Sequence, residues 1–270
     1  MLEKDQVLRY SRQIILKEIG CEGQEKLLQA KVLVIGAGGL GSPALYYLAS
    51  AGIGTLGIVD FDTVGISNLQ RQILHYTEDI GRKKVDSAEE KLKKINPQVN
   101  IIKHSSRVKE GNIEELVQQY DVIVDAVDNF AARYLISDCC YFMKKPLIEG
   151  AVLGFEGLLM TILPGKSPCY RCLYPEPPKD GIVPSCSDAG ILGMIAGTMG
   201  SLQALEAVKV ILGIGQTLTG RILTFDGLNL EFREIGWRKR QNCPLCGENP
   251  RIRELQEQEI QCKRKHGISD

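Results

Sequence analysis

The residues best suited to chemistry begin with a glycine-rich turn. Gly36-Ala37-Gly38-Gly39-Leu40-Gly41 follows the apolar run Lys31–Ile35 and opens a helical pattern. In that G-x-G-x-x-G spacing, glycines allow a tight turn and let backbone N–H groups approach a phosphate at a helix N-terminus. Asp60 closes the next apolar run, 19 residues beyond Gly41, where an acid can accept from ribose hydroxyls. This context points to an adenine nucleotide and by itself leaves NAD and ATP both open. There is no G-x-x-x-x-G-K-[ST] loop, so cations for a triphosphate must come from elsewhere. Arg71, in the irregular segment Ser67-Asn68-Leu69-Gln70-Arg71-Gln72, could fork onto a phosphate. Lys84 follows Arg82 and Lys83 at a helix start, where three cations oppose the helix dipole and a bound phosphate would relieve the conflict. Asp121, Asp125 and Asp128 are expected to cluster around one strand end. There Asp128 suits either a magnesium ion or the cap of a helix starting near Phe130.

The cysteines form the second group. Two C-x-x-C pairs, Cys169/Cys172 and Cys243/Cys246, offer four thiolates for a closed tetrahedral zinc site. The 70 residues between the pairs would make such a metal a clip between distant segments. A redox pair and metal-free thiols are the competing readings. The total of nine cysteines is odd, which argues against a disulfide framework. Cys186, in Pro184-Ser185-Cys186-Ser187-Asp188, precedes a glycine-spaced helix, a setting that lowers a thiol pKa and favours a nucleophile. Cys139 and Cys140 read as core, and Cys21 and Cys262 carry no signal. His75, His104 and His266 form no ligand pattern and read as ordinary.

Positioning these groups falls to alternating strands and helices. Helices are expected over residues 3–19, 40–51, 81–95, 111–120, 130–143 and 190–212. Strands are expected over 31–35, 56–60, 99–103, 121–126 and 146–151, then 157–163, 221–226 and 229–235 without helices between neighbours. The fold class is therefore α/β, Rossmann-like: a mostly parallel sheet with antiparallel edge strands in the C-terminal half and a four-cysteine zinc knuckle. One domain over residues 1–250 is expected, with an N-terminal helix (1–25), a nucleotide-binding core (30–163) and a crossover loop (164–189). The helix, strands and knuckle fill 190–250, and a tail covers 251–270. The crossover loop is rich in proline and long enough to be functional.

Composition sets outer bounds. The 270 residues carry 33 Lys+Arg against 33 Asp+Glu, a balance that argues against nucleic-acid or anionic-membrane partners. The N-terminus is charged throughout, unlike a signal peptide. The longest apolar stretch, 189–202, holds four glycines and is shorter than the roughly 20 residues of a membrane span. A cytoplasmic location is the expectation.

The motifs R-Y-S-R-Q (9–13), G-A-G-G-L-G-S (36–42), V-D-F-D (59–62), S-N-L-Q-R-Q (67–72), D-N (128–129), C-Y-R-C (169–172), S-L-Q-A-L-E-A-V-K (201–209) and C-P-L-C (243–246) closely resemble the ThiF/MoeB/HesA family, bacterial relatives of ubiquitin-activating enzymes. The resemblance runs from about residue 5 to 248. It implies Mg·ATP-dependent adenylation of the C-terminal glycine of a small ubiquitin-like sulfur carrier ending in Gly-Gly, with release of pyrophosphate, for thiamine or molybdopterin biosynthesis. By motif, Gly36, Gly38, Gly39 and Gly41 would form the phosphate loop, Asp60 the ribose ligand, with Asp62 beside it. Asn68, Arg71 and Lys84 would contact ATP phosphates, although the run 82–84 leaves the lysine register open by one. Asp128 would be the Mg²⁺-linked aspartate. Arg12 would act across a homodimer interface, and Cys186 would link covalently to the carrier, as in some members. The four paired cysteines would hold structural Zn²⁺. A separate sulfur donor is implied, since the chain leaves no room for the rhodanese domain of some relatives. Gly193, Gly197 and Gly200 hint at close helix packing in the dimer. The rival classes are an NAD-dependent oxidoreductase and a non-catalytic scaffold for a ubiquitin-like partner.

Overall fold

The computed structural model describes residues 1–178 and 189–256. Its helices are α1 (Lys4–Ile14), α2 (Gly20–Gln29), α3 (Gly41–Ala51), α4 (Lys84–Ile95), α5 (Glu110–Gln118), α6 (Phe130–Phe142), the single turn α7 (Tyr170–Leu173) and α8 (Gly193–Leu212). The strands are β1 (Lys31–Ile35), β2 (Thr55–Val59), β3 (Asn100–His104), β4 (Val122–Asp125), β5 (Leu147–Leu153), β6 (Glu156–Ile162), β7 (Arg221–Asp226) and β8 (Glu231–Gly236). All eight join one sheet in the order β3-β2-β1-β4-β5-β6-β7-β8. The first five run parallel and the last three are added antiparallel, as the spacing predicts.

The parallel strands are continuous apolar runs because both faces are covered. Successive β1 residues alternate between two cores: Val32 and Val34 lie with α3, α4 and α8, whereas Leu33 and Ile35 lie with α5 and α6. The second core also takes in the four paired cysteines, Trp237 and Leu245.

Three elements depart from expectation. The periodicity predicts one helix over 3–19; instead α1 stops at Ile14 and α2 follows from Gly20, whose φ of +61° turns the chain. The glycine-bearing sequence of α2 has weak helical propensity, and packing of Gly23 against Ile19 and Leu212 overrides it. The crossover is also not purely surface loop, since Cys169–Cys172 is buried. Finally, α8 starts at Gly193 rather than Gly190, because the Gly190 carbonyl accepts from the Gly154 N–H at φ +74°.

The 20 residues of α8, with a mean hydropathy of 1.3, are long and apolar enough to cross a membrane by composition. Its burial against α3, β4, β5 and β6 identifies it as a core helix. Two of its glycines are consumed within the chain. A side chain on Gly193 would strike the Gln70 carbonyl, and one on Gly200 the Leu40 carbonyl. They seat α8 under the glycine turn and carry no dimer signal; only Gly197 faces open space.

Candidate functional site

The glycine turn sits where β1 and β4 end side by side. Gly36 has φ +100°, and a Cβ there would come within 2.7 Å of the Ala126 carbonyl, so the turn lies directly on the chain leaving β4. A Cβ on Gly41 would overlap the Gly36 carbonyl. Asp60 ties the turn to the end of β2: one carboxylate oxygen accepts from the Ala37 N–H and the other from the Asp62 N–H, both at 2.8 Å. That fixes the carboxylate and leaves each oxygen a second lone pair.

The cations come from two directions. The stem of Arg71 flanks Gly39, 3.5 Å from where a Cβ would stand, and its guanidinium donates to the Ser67 carbonyl at 3.0 Å. Arg71 has no carboxylate partner among the described residues. Asn68 shapes the same turn by accepting from the Gly65 N–H at 3.0 Å. Lys84, buried at the start of α4, places Nζ 3.3 Å from the half-exposed Asp62 carboxylate. Of the three cations in the run 82–84, Lys84 alone is buried, whereas Lys83 is exposed and takes the N-cap position. Two of the three cations already face protein carboxylates. Arg82 pairs with Asp79 and Glu90, and Lys84 with Asp62.

The three aspartates do not form one cluster. Asp121 precedes β4 at its far end and accepts from the Lys31 N–H. Asp125 is fully buried. Only Asp128 reaches the crevice. It is exposed and has no partner among the described residues, while the helix cap is Asn129, which accepts from the Ala132 N–H at 2.9 Å.

Arg12 is exposed on α1 with no ion pair among the described residues. Its helix packs at the C-terminal end of α4, where Tyr10 meets Asn96 and Arg9 meets the Ile95 carbonyl. The 12 residues of α4 span about 18 Å, so Arg12 lies far from the Lys84 end of its own chain. Cys186 lies outside the described residues.

Sequence reasoning missed a buried polar layer beneath the crevice. Arg133 donates to the carbonyls of Val127 and Gly150, both at 2.9 Å, and its Nε stands 2.7 Å from Glu149 and 3.8 Å from Asp125. Burial pushes the Glu149 carboxyl well above the usual carboxylate range, and Asp125 raises it further against the pull of Arg133. A second missed residue is His75, whose ring spans Ala37 and Ser87. Neither Arg133 nor His75 sits in a residue pattern that spacing alone would single out.

The thiols of Cys169, Cys172, Cys243 and Cys246 all lie within 4.8 Å of one another. The closest separations are 3.3, 3.5 and 3.9 Å, bracketing the about 3.8 Å edge of a tetrahedron with 2.3 Å metal–sulfur bonds. N–H groups of Arg240 and Cys246 donate to Cys172 and Cys243 sulfurs at 3.5 Å, as thiolates require. The donor set and spacing fit zinc.

Fold and site together define an α/β nucleotide-binding domain whose crossover is clipped to its C-terminal strands by four thiols. The ThiF family pattern matches residues 10–245, and the chain belongs to that family. It is 45% identical over 264 residues to a sulfur carrier protein adenylyltransferase of Thermus thermophilus, covering 96% of this chain and 97% of that protein. It is 47% identical over 265 residues to the adenylyltransferase and sulfurtransferase MOCS3 of Culex quinquefasciatus, covering 98% of this chain and 60% of that one. The chain therefore spans about three fifths of the length of this longer relative. Among solved structures, Escherichia coli MccB with MccA-N7isoASN shares the fold at a TM-score of 0.79 and 22% identity, over 90% of this chain and 75% of that one.

Proposed function

We propose that this chain uses ATP to adenylate the C-terminal glycine carboxylate of a small ubiquitin-like sulfur carrier protein, releasing pyrophosphate for sulfur incorporation in thiamine or molybdopterin biosynthesis. The observation that carries the reading is Asp128: an exposed acid following β4, where the glycine turn packs, with no partner among the described residues. The names of the similar proteins point the same way, and no feature of the site favours hydride transfer.

The chemistry is demanding because a carboxylate must attack the α-phosphorus of a polyanion. Asp60 accepts from ribose hydroxyls and fixes the nucleoside. Arg71, Lys84 and the N–H groups of the turn spread the charge that builds on the phosphates as pyrophosphate leaves. Asp128 would hold magnesium, which supplies charge neutralisation when bound. Asp62 already restrains Lys84, so the lysine is poised before nucleotide arrives. Arg12, too far to serve its own site, would complete that of a partner subunit in a homodimer. Cys169, Cys172, Cys243 and Cys246 would hold structural zinc. Cys186 is the candidate nucleophile toward the activated carrier, and a separate protein would donate sulfur.

ATP–pyrophosphate exchange tests this, run without carrier, with a thiazole-pathway carrier and with a molybdopterin-pathway carrier. Exchange dependent on one Gly-Gly-ended carrier is expected and names the pathway. Tight ATP binding without exchange on either carrier refutes it. Cys186→Ala that leaves both exchange and sulfur transfer intact removes the thiol from the mechanism.

A further inference from the structure

The peptide unit between Ala37 and Gly38 is gripped on one side only. The Ala37 N–H is held by Asp60 at 2.8 Å, and the Ala37 carbonyl by the His75 Nε2 at 2.9 Å. A planar trans peptide points its carbonyl and the following N–H in opposite directions. With the Ala37 carbonyl drawn inward to a buried histidine, the Gly38 N–H must face outward. That N–H has no acceptor among the described residues, and Gly38 is half-buried on the crevice side of the turn.

We propose that His75 is a positioning residue: it aims the Gly38 amide at the nucleotide phosphates and locks the glycine turn to α4. The inference rests on the ATP reading above. A carbonyl can only accept, so Nε2 must carry the proton. In the neutral ring, Nδ1 then accepts from the Ser87 hydroxyl at 2.9 Å, one turn along α4 from Lys84. One imidazole thereby couples the two elements that present phosphate contacts, the glycine turn and the start of α4. Burial holds the ring below the usual histidine range, and nearby Lys84 adds to this against the Ala37 carbonyl, Asp60 and Asp79. The ring is therefore neutral in the physiological range.

Two isosteric variants separate the contacts. The amide nitrogen of His75→Gln reaches the Nε2 position and keeps a donor for Ala37. The amide oxygen of His75→Asn reaches only the Nδ1 position and keeps an acceptor for Ser87. Each loses one buried hydrogen bond, so a merely structural histidine would make the two equivalent. The expected result is ATP affinity within about threefold of the parent for His75→Gln and about tenfold or more weaker for His75→Asn, with kcat of exchange changed less than KM. Equal losses in both variants overturn the positioning role. Nitrogen-15 spectra of the parent protein provide a test that needs no variant to fold. The Nε2–H tautomer is expected at pH 7, with the Gly38 amide shifting on addition of MgATP. An Nδ1–H tautomer, or an unmoved Gly38 amide in protein saturated with MgATP, overturns the proposal. Parent protein that binds no ATP at all instead defeats the nucleotide reading, and the positioning role with it.

Discussion

At the residue scale, the free carboxylate and the restrained ones do different work. Asp128 has no hydrogen-bond or ion-pair partner among the described residues, so Asp128→Ala is expected to cost little folding stability and to slow exchange by about 10²–10³-fold. Thermal unfolding beside exchange kinetics checks both halves. Asp79 is the opposite case. Burial raises its pKa, but hydrogen bonds from Lys91 and the Tyr76 N–H prevail and bring it from 3.8 down to about 2. Because the folded value is the lower one, its contribution is present above the unfolded pKa and lost as pH falls from about 4 to 2. Roughly 2 kcal/mol is at stake. Urea unfolding across that range should show a steep acid loss in the parent protein and a shallower one in Asp79→Asn. Part of this scale was legible in sequence: the glycine turn and Asp60, singled out by their spacing, are joined through the Ala37 N–H. What was not legible depends on direction rather than type. The cap at Asn129 instead of Asp128 follows from side-chain geometry that no spacing encodes.

At the scale of elements, the strands ending at the crevice are held level by Arg133. It joins the Val127 carbonyl, one residue before Asp128, to the Gly150 carbonyl on β5. Arg133→Met leaves a buried carboxylate without its cation and is expected to cost about 3–5 kcal/mol in denaturant unfolding. Glu149→Gln, which mimics the protonated acid, should cost less than about 1.5 kcal/mol. The raised Glu149 pKa has its own sign: stability it contributes is complete below the unfolded value and is lost as pH rises toward the folded one. An equal penalty in the two variants would show that both carboxyls are ionised. The strand–helix alternation was readable because each run had one period. The break between α1 and α2 was not, since α2 exists through its contact with Leu212, 189 residues distant from Gly23.

At the scale of the whole molecule, α1 and the crevice sit at opposite ends of α4, so an in-trans Arg12 makes a quantitative forecast. Arg12→Ala and Asp128→Ala should each be nearly inactive alone. Co-refolded in equal amounts, they should regain about a quarter of parental exchange, because half the dimers contain one complete site. Failure to complement would confine the chemistry to one chain. The thiol cluster makes another forecast: about one equivalent of zinc per chain, lost together with protease resistance of residues 237–256 in Cys246→Ser. Elemental analysis and limited proteolysis check it.

That cluster also acts on the chain when it is not folded. Its ligands stand up to 77 positions apart, and fastening a loop of that length removes about 4 kcal/mol worth of conformational freedom from the unfolded ensemble. An ion that recognises only the closed loop couples folding to its own free concentration by mass action, so every tenfold change in available metal shifts the balance by about 1.4 kcal/mol. With a metal held there, the melting temperature would be a readout of the metal supply rather than a fixed property of the sequence.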